Sequence, residues 1–349
     1  MKVIVDDKIP YIREALTMMG VDAVYVPGSH IDNALVRYAD ALIIRTRTRC
    51  DATLLEGSSV RFIATATIGY DHIDTAYCAS QGIRWTNAPG CNAASVCQYI
   101  QSVLLLLQKE RGVQLAESTI GIIGVGHVGT LVANMVTTWG MRVLLCDPPR
   151  AERGEQGFVS LQEIAREADI ITLHTPLTYE GPHRTWHLAD EAFFGSLQRK
   201  PYFINTSRGE TTDTRALQQA LDSGFIAQCI IDVWEHEPHI DRHLLECCYI
   251  GTPHIAGYSA DGKANATRMS LEALSTHFGL GKVPPITPPA PDKTIPQTTS
   301  RAEALLHIYN PHTDSSVLKS HPEDFELLRG NYPLRREETA YRFFCRPLR

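Results

Sequence analysis

The chain has no excess of basic residues, no C-x-x-C pair, no internal repeat and no apolar run long enough to span a bilayer. Its net charge of -6 removes any general electrostatic reason to bind nucleic acid, although a local basic cluster could still hold an anionic metabolite. The strongest apolar run, VLLLL at 103–107, falls far short of the roughly 20 residues that a membrane helix needs. The opening MKVIVDDKIP turns acidic directly after a strand-like run and lacks the apolar centre and cleavage site of a signal peptide. The nine cysteines are an odd number, scattered and set in apolar surroundings at Cys146 and Cys229, which reads as reduced thiols. The expectation is a soluble, cytoplasmic protein whose partner is a small molecule, with no nucleic acid and no membrane.

What is present is an alternation. Strand-like runs such as KVIVD, DALIIR, RFIATAT, TIGIIGVG, RVLLCD, DIITLHTPL, YFINTS and CIIDVW are separated by amphipathic stretches of helix length. That order predicts an α/β protein with parallel sheets and helices on both faces, and 349 residues suffice for two or three domains. A helix over about 94–111 could bridge two of them. The Pro-rich GKVPPITPPAPDKTIPQ at 281–297 reads as an extended linker to a small C-terminal unit carrying EDFELLRGNYPLRREE.

Gly124, Gly126 and Gly129 form a G-x-G-x-x-G pattern between an apolar strand and a helix-length stretch, and a second strand ends in Asp147, eighteen residues after Gly129. In such a unit the first glycine permits the turn, the second lets a pyrophosphate approach the backbone, and the third lets helix and strand pack closely. The helix amino end then faces the diphosphate. Asp147 can accept hydrogen bonds from a ribose and would repel a 2′-phosphate, so NAD is expected over NADP. Arg150, close by, is the residue that could reverse that preference.

DVWEHEPHIDRHL at 232–244 packs three histidines, two glutamates and two aspartates into thirteen positions. It does not fit the helical H-E-x-x-H zinc pattern, because Pro238 disfavours a helix at the residue before it and only His239 and His243 stand four apart. No metal is expected. The stretch instead ends one of three strand-like segments, YFINTSRGE, CIIDVWEHEP and YIGTPHIAGY, which deliver Arg208, Glu237 and His254. Ligands of open parallel sheets sit past the carboxyl ends of strands. A histidine there can take the hydroxyl proton of an alcohol as hydride leaves, a carboxylate can hold its far nitrogen, and an arginine can grip a substrate carboxylate through two hydrogen bonds. These roles suit a 2-hydroxy acid.

GVGHVG, LLCDPPRAERG, LHTPL, INTSRGE, DVWEHEP and HIAGYSADGKA together resemble the D-isomer-specific 2-hydroxyacid dehydrogenases, from one end of the chain to the other. TATIGYDHID, NAPGCNA, CDPPRAERG and EDFELLRGNYPLRRE narrow the resemblance to members that take a small phosphorylated hydroxy acid. The resemblance implies catalytic Arg208, Glu237 and His254, with His254 the proton donor in the reducing direction. It implies NAD contacts at Gly124, Gly126, Val128, Gly129, Asp147, Thr175, Thr206, Ser207, Asp232 and Gly257, and substrate contacts at Thr46, Thr67 and Tyr258. His236 and His239 become bystanders.

The fold so implied is two doubly wound, Rossmann-like lobes with the active site in a cleft: a substrate lobe of 1–95 and 257–283, and an NAD lobe of 96–256. A linker and small α+β dimerisation domain would fill 284–349 and make a homodimer, although FFCRPLR ends sooner than the pattern suggests. In RTRTR, a strand running through 45–49 would put Arg45, Arg47 and Arg49 on one side, and Arg45 or Arg47 would then help hold the substrate phosphate. Another dehydrogenase of the family, such as one for 3-phosphoglycerate, and a non-catalytic NAD-sensing protein remain open on these residues.

Overall fold

Short, mainly apolar runs become the central strands of two parallel sheets, because a strand covered on both faces has no solvent side on which polar residues could alternate. The computed structural model describes residues 1–295 and 300–342. They divide into two compact units, Met1–Asn92 with Ser259–Ala290, and Ala93–Tyr258 with the described residues from Pro291 onward. The divisions fall at 92/93, 258/259 and 290/291, against the 95/96, 256/257 and 283/284 expected from the sequence.

In the first unit, β1 (Lys2–Asp6), β2 (Asp22–Val26), β3 (Ala41–Ile44), β4 (Phe62–Thr65) and β5 (Arg84–Thr86) form one sheet in the order β2-β1-β3-β4-β5. All its pairings are parallel. The returning helix Ala260–Phe278 covers one face, where Leu271 and Leu274 pack among Val3, Val5, Ile43 and Phe62. The edge strands β2 and β5 carry partly exposed residues, and for that reason lack the continuous apolar signature of the central three.

The second unit has β6 (Thr119–Ile123), β7 (Arg142–Cys146), β8 (Ile170–Leu173), β9 (Tyr202–Asn205), β10 (Gln228–Ile231) and β11 (Ile250–Gly251), in the order β11-β10-β9-β8-β6-β7 and again parallel. A single parallel bridge from Leu145 to Phe158 extends the sheet beyond β7, as the remnant of a further edge strand. The long helix Ala93–Arg111 lies wholly in this unit, with Tyr99, Ile100, Val103, Leu104 and Leu107 in one core with Ile120 and Ile122 of β6.

The C-terminal segment departs from expectation. It groups with the second unit, and its described regular elements are the helical segments Arg301–Ile308, Pro311–Ser320, Pro322–Asp324, Phe325–Gly330 and Glu338–Ala340, without a strand. The reason is burial: Ile308 and Tyr309 join the core under Ala93–Arg111, while Leu318 and Phe325 join a second core with Trp234, Leu244 and Leu245. The Pro-rich stretch has no helix or strand over 281–295, and its last two residues, like FFCRPLR, lie outside the described residues. No described helix is long and apolar enough to cross a membrane.

Candidate active site

The glycine loop shows three different demands on three glycines. Gly124 has φ 88°, and a Cβ there would lie 2.7 Å from the His174 carbonyl, so the loop presses directly on the segment after β8. A Cβ on Gly129 would come within 2.1 Å of the Gly124 oxygen, which closes the helix His127–Thr138 onto the turn. A Cβ on Gly126 would meet nothing within 4 Å. That open space lies at the N-cap of the helix, where no side chain caps the first-turn amides, and it fits a diphosphate.

Asp147 is bound into the same loop. One carboxylate oxygen accepts from the Val125 amide at 2.9 Å, and the other caps the helix Pro148–Glu152 through the Arg150 amide at 3.1 Å. Arg150 is turned to internal partners: its guanidinium donates to Glu155 at 2.8 and 2.5 Å and to the Val125 carbonyl at 2.7 Å, and stacks over Phe158. It braces the loop rather than presenting a free cation to a 2′-phosphate.

Thr175 and Thr206 flank a residue that sequence reasoning missed. His174 sets its ring nitrogens 3.1 Å from the Thr172 hydroxyl and 3.4 Å from that of Thr206, and burial lowers its pKa to about 3, so it stays neutral. The Thr175 hydroxyl is buried with no hydrogen-bond partner among the described residues, as a group awaiting a ligand would be. Ser207, by contrast, is directed inward, with both its amide and its hydroxyl on Asn205 Oδ1.

The three candidate catalytic residues leave adjacent strands. Arg208 follows β9, Glu237 follows β10 and His254 follows β11, and β9, β10 and β11 lie side by side. Their loops are tied by contacts that no local pattern announces. A Cβ on Gly209 would fall 2.0 Å from the Trp234 carbonyl, so the Arg208 loop rests backbone to backbone on the Glu237 loop. The Trp234 indole donates to the Thr252 carbonyl at 2.9 Å. Buried Asp232 accepts from the Thr252 hydroxyl (2.6 Å) and the amides of Ile255 (2.8 Å) and Ala256 (3.0 Å), which clamps the His254 segment to the end of β10. Its pKa is raised, because burial outweighs the donors and the nearby His254.

His254 itself sits at φ 55°, in the left-handed region that histidine tolerates better than branched residues do, with its amide on the Asp232 and Thr252 carbonyls. Its Nδ1 lies 2.8 Å from Glu237 Oε2, and Glu237 Oε1 accepts from the Trp234 amide at 2.9 Å. Burial is the largest influence on Glu237 and pushes its pKa up, but the His254 and Trp234 donors together with the Arg329 charge lower it overall. An ionised carboxylate only accepts, so Nδ1 carries a hydrogen, and in the neutral imidazole the lone pair is then on Nε2. Nε2 has no partner among the described residues. Arg335, from the tail, donates to the carbonyls of Ile255 (3.1 Å), Ala256 (2.6 Å) and Ser95 (3.2 Å), holding the segment after His254, a role with no signal in the sequence.

The stretch 232–244 is resolved by where its carboxylates go. Asp232 holds the His254 loop, Glu235 accepts from His187 (2.8 Å) and the Thr214 amide (2.9 Å), Glu237 holds His254, and Asp241 caps Arg242–Cys247. The one metal-capable cluster among the described residues is His321, Glu323 and Asp324, elsewhere in the tail.

The first unit holds Arg45, Thr46, Arg47 and Thr67, whereas Gly257 and Tyr258 fall in the second, and in the first one expectation is corrected. β3 stops at Ile44 and residues 45–48 turn, with the Thr48 amide on the Arg45 carbonyl at 3.2 Å and the Thr48 hydroxyl on the Gly28 carbonyl at 2.8 Å. The three arginines therefore do not share one side of a strand. Arg45 chelates fully buried Asp6 through two 3.1 Å bonds, and Arg49 pairs with Asp51 at 2.9 Å. Thr46 and Arg47 are exposed in the turn. Thr67 bonds Thr65 (2.7 Å) and the Gly69 carbonyl (2.9 Å). Gly257 and Tyr258 directly follow the Asp232-clamped segment, with Tyr258 edge-on to Tyr332.

Residues 101–256 match the model of the NAD binding domain of D-isomer specific 2-hydroxyacid dehydrogenases. Over 342 residues the chain is 61% identical to an erythronate-4-phosphate dehydrogenase of Bacteroides thetaiotaomicron, an alignment that takes in 98% of each chain. Among solved structures, it is similar to the TT0316 protein of Thermus thermophilus at 27% identity and TM-score 0.68, covering 82% of this chain and 99% of that one. A D-lactate dehydrogenase of Aquifex aeolicus, complexed with NAD and lactic acid, aligns at 25% identity and TM-score 0.62 over 80% of this chain and 96% of that one.

Proposed function

This chain belongs to the D-isomer-specific 2-hydroxyacid dehydrogenase family, and from that premise we propose that it oxidises 4-phospho-D-erythronate at C2 to 2-oxo-3-hydroxy-4-phosphobutanoate, with NAD as acceptor, on the way to pyridoxal 5′-phosphate. The substrate comes from the name of its relative, and the observation that carries the chemistry is the 2.8 Å bond between Glu237 and His254 Nδ1. That bond leaves His254 Nε2 as the base for the C2 hydroxyl proton, while the Glu237 charge stabilises the imidazolium that results. In the reducing direction the same nitrogen returns the proton. Arg208 grips the substrate carboxylate and polarises the oxygen at C2. The chemistry NAD supplies when bound is acceptance of the C2 hydride.

Asp147 takes the adenosine ribose hydroxyls, the amides behind Gly126 the pyrophosphate, and Thr175 with the Thr206–Arg208 turn, Asp232 and Gly257 border the nicotinamide half. Thr46, Thr67 and Tyr258 contact substrate, with Arg45 or Arg47 at its phosphate. Arg45 is already bound to Asp6, and Arg47 is exposed in the turn. A cytoplasmic homodimer completes the reading, and sedimentation of the purified protein tests the dimer.

The function is tested by NADH formation with 4-phosphoerythronate beside 3-phosphoglycerate and unphosphorylated erythronate, with a 2-oxo acid supplied in parallel to reoxidise retained NADH. The expected result is a clear preference for 4-phosphoerythronate and a loss of about 100-fold or more in kcat for His254→Ala. Preference for another acid overturns the substrate, and NADH binding without turnover of any of them overturns the enzyme.

A further inference from the structure

The tail delivers a second cation to the carboxylate that holds His254. Arg329, on the helix Phe325–Gly330, places NH1 3.6 Å from Glu237 Oε2, the same oxygen that lies 2.8 Å from His254 Nδ1. The helix is anchored beside this loop, since fully buried Phe325 shares a core with Trp234, Leu244 and Leu245. With the Arg329 and Glu237 side chains 29% and 17% exposed, solvent screens the attraction only in part. Moreover, Arg329 Nε is buried without a hydrogen-bond partner among the described residues. A guanidinium placed merely to brace the tail would have that donor satisfied, as buried donors are as a rule.

We propose that Arg329 is a positioning residue for the acid–base pair: it holds Glu237 through the same oxygen that meets the imidazole and, by partly neutralising it, sets how firmly His254 keeps its proton. The inference rests on the roles given to His254 and Glu237 above. The titratable groups around the pair come from four elements. His254 faces Glu237 from the loop after β11, Asp232 acts on His254 from the end of β10, Tyr258 couples to Arg329 from the segment beyond His254, and Glu326 lies 3.9 Å from Arg329 on its own helix. Replacing Arg329 leaves His254 and Asp232 in place and deprives Tyr258 and Glu326 of their guanidinium partner. Removing the guanidinium leaves the whole Glu237 charge to the imidazolium, which then holds its proton to higher pH.

The test is the pH profile of kcat/KM for oxidation of 4-phosphoerythronate by NAD, measured on the full-length enzyme as wild type, Arg329→Ala, Arg329→Gln and Arg329→Lys, with thermal melting of each. In the alanine and glutamine variants the limb on which activity rises as the base loses its proton should move to higher pH by about half a unit or more. The lysine variant should return it towards the wild-type position. A limb that stays in place in the folded glutamine variant overturns the proposal, whatever the change in maximal rate, because a structural role would alter the rate without moving the limb. His254→Ala is assayed alongside: if it keeps turnover, the acid–base pair fails and the inference with it, whereas an inactive His254→Ala with an unmoved limb sinks the role of Arg329 alone.

Discussion

The glycine loop at 124–129 and the candidate catalytic corner formed by 208–209, 232–237 and 252–256 stand at the ends of strands in the same sheet and are built in opposite ways. The loop is local. A turn at Gly124, an open approach at Gly126 and a helix contact at Gly129 fall within six consecutive residues, and Asp147 on the next strand completes them. The corner is assembled from loops after three strands and from a tail that joins them some eighty residues after Ile255, where Arg335 takes the Ile255 and Ala256 carbonyls. A site made of backbone can be written in a short motif, while a site made of oriented side chains needs supports whose sequence separation hides them.

Matched glycines break or sharpen this contrast most strongly. Gly129 and Gly209 each sit where a Cβ would invade a backbone carbonyl, at 2.1 and 2.0 Å, yet only the first belongs to a recognised pattern. Alanine at either should destabilise the protein by about 2 kcal/mol or more, seen as a fall in the urea midpoint at constant m-value. If Gly209→Ala unfolds like wild type, the Arg208 loop does not depend on its close approach to Trp234.

A middle-sized effect separates binding from folding. Gly126→Ala adds its methyl to open space, so its melting temperature should match wild type while the KM for NAD rises about tenfold or more, equivalent to about 1.4 kcal/mol. Asp147→Ala should also raise that KM about tenfold and narrow the preference for NAD over NADP, with a further loss of about 1 kcal/mol of stability from the missing helix cap. Steady-state kinetics with both cofactors, beside thermal melts, read both. A Gly126→Ala protein that binds NAD normally would show that the space in front of the helix is not where the diphosphate lies.

The same contrast explains how much can be read from sequence. Seven strands are legible because both faces of each are largely buried, and β7, partly exposed, is legible from the run RVLLC alone, whereas β2 and β5 at sheet edges and two-residue β11 leave too weak an apolar pattern. Arg208, Glu237 and His254 stand out by their residue types at successive strand ends, which the parallel order β9-β10-β11 brings into one row. RTRTR misleads because alternation presumes a continuing strand, and the Thr48 turn ends it. Nothing in the spacing could announce His174, Gly209, Arg329 or Arg335, since each acts on a residue made adjacent only by the fold.

The smallest expected effect lies inside the corner, between two carboxylates five positions apart. Glu237 has its folded pKa lowered from 4.5, so its share of stability is present above that value and is lost as pH falls through the folded value. Asp232 has its folded pKa raised from 3.8, because burial there outweighs its donors, so its share is present below 3.8 and is lost as pH rises through the folded value. Urea unfolding from pH 3 to 7 should therefore show the stability gap between wild type and Glu237→Gln widening with rising pH, and that between wild type and Asp232→Asn narrowing. Opposite slopes would mean that one carboxylate is kept charged for the imidazole while its neighbour is held in place as a structural clamp. Equal slopes would mean that the two are alike and that the His254 bond does not distinguish them.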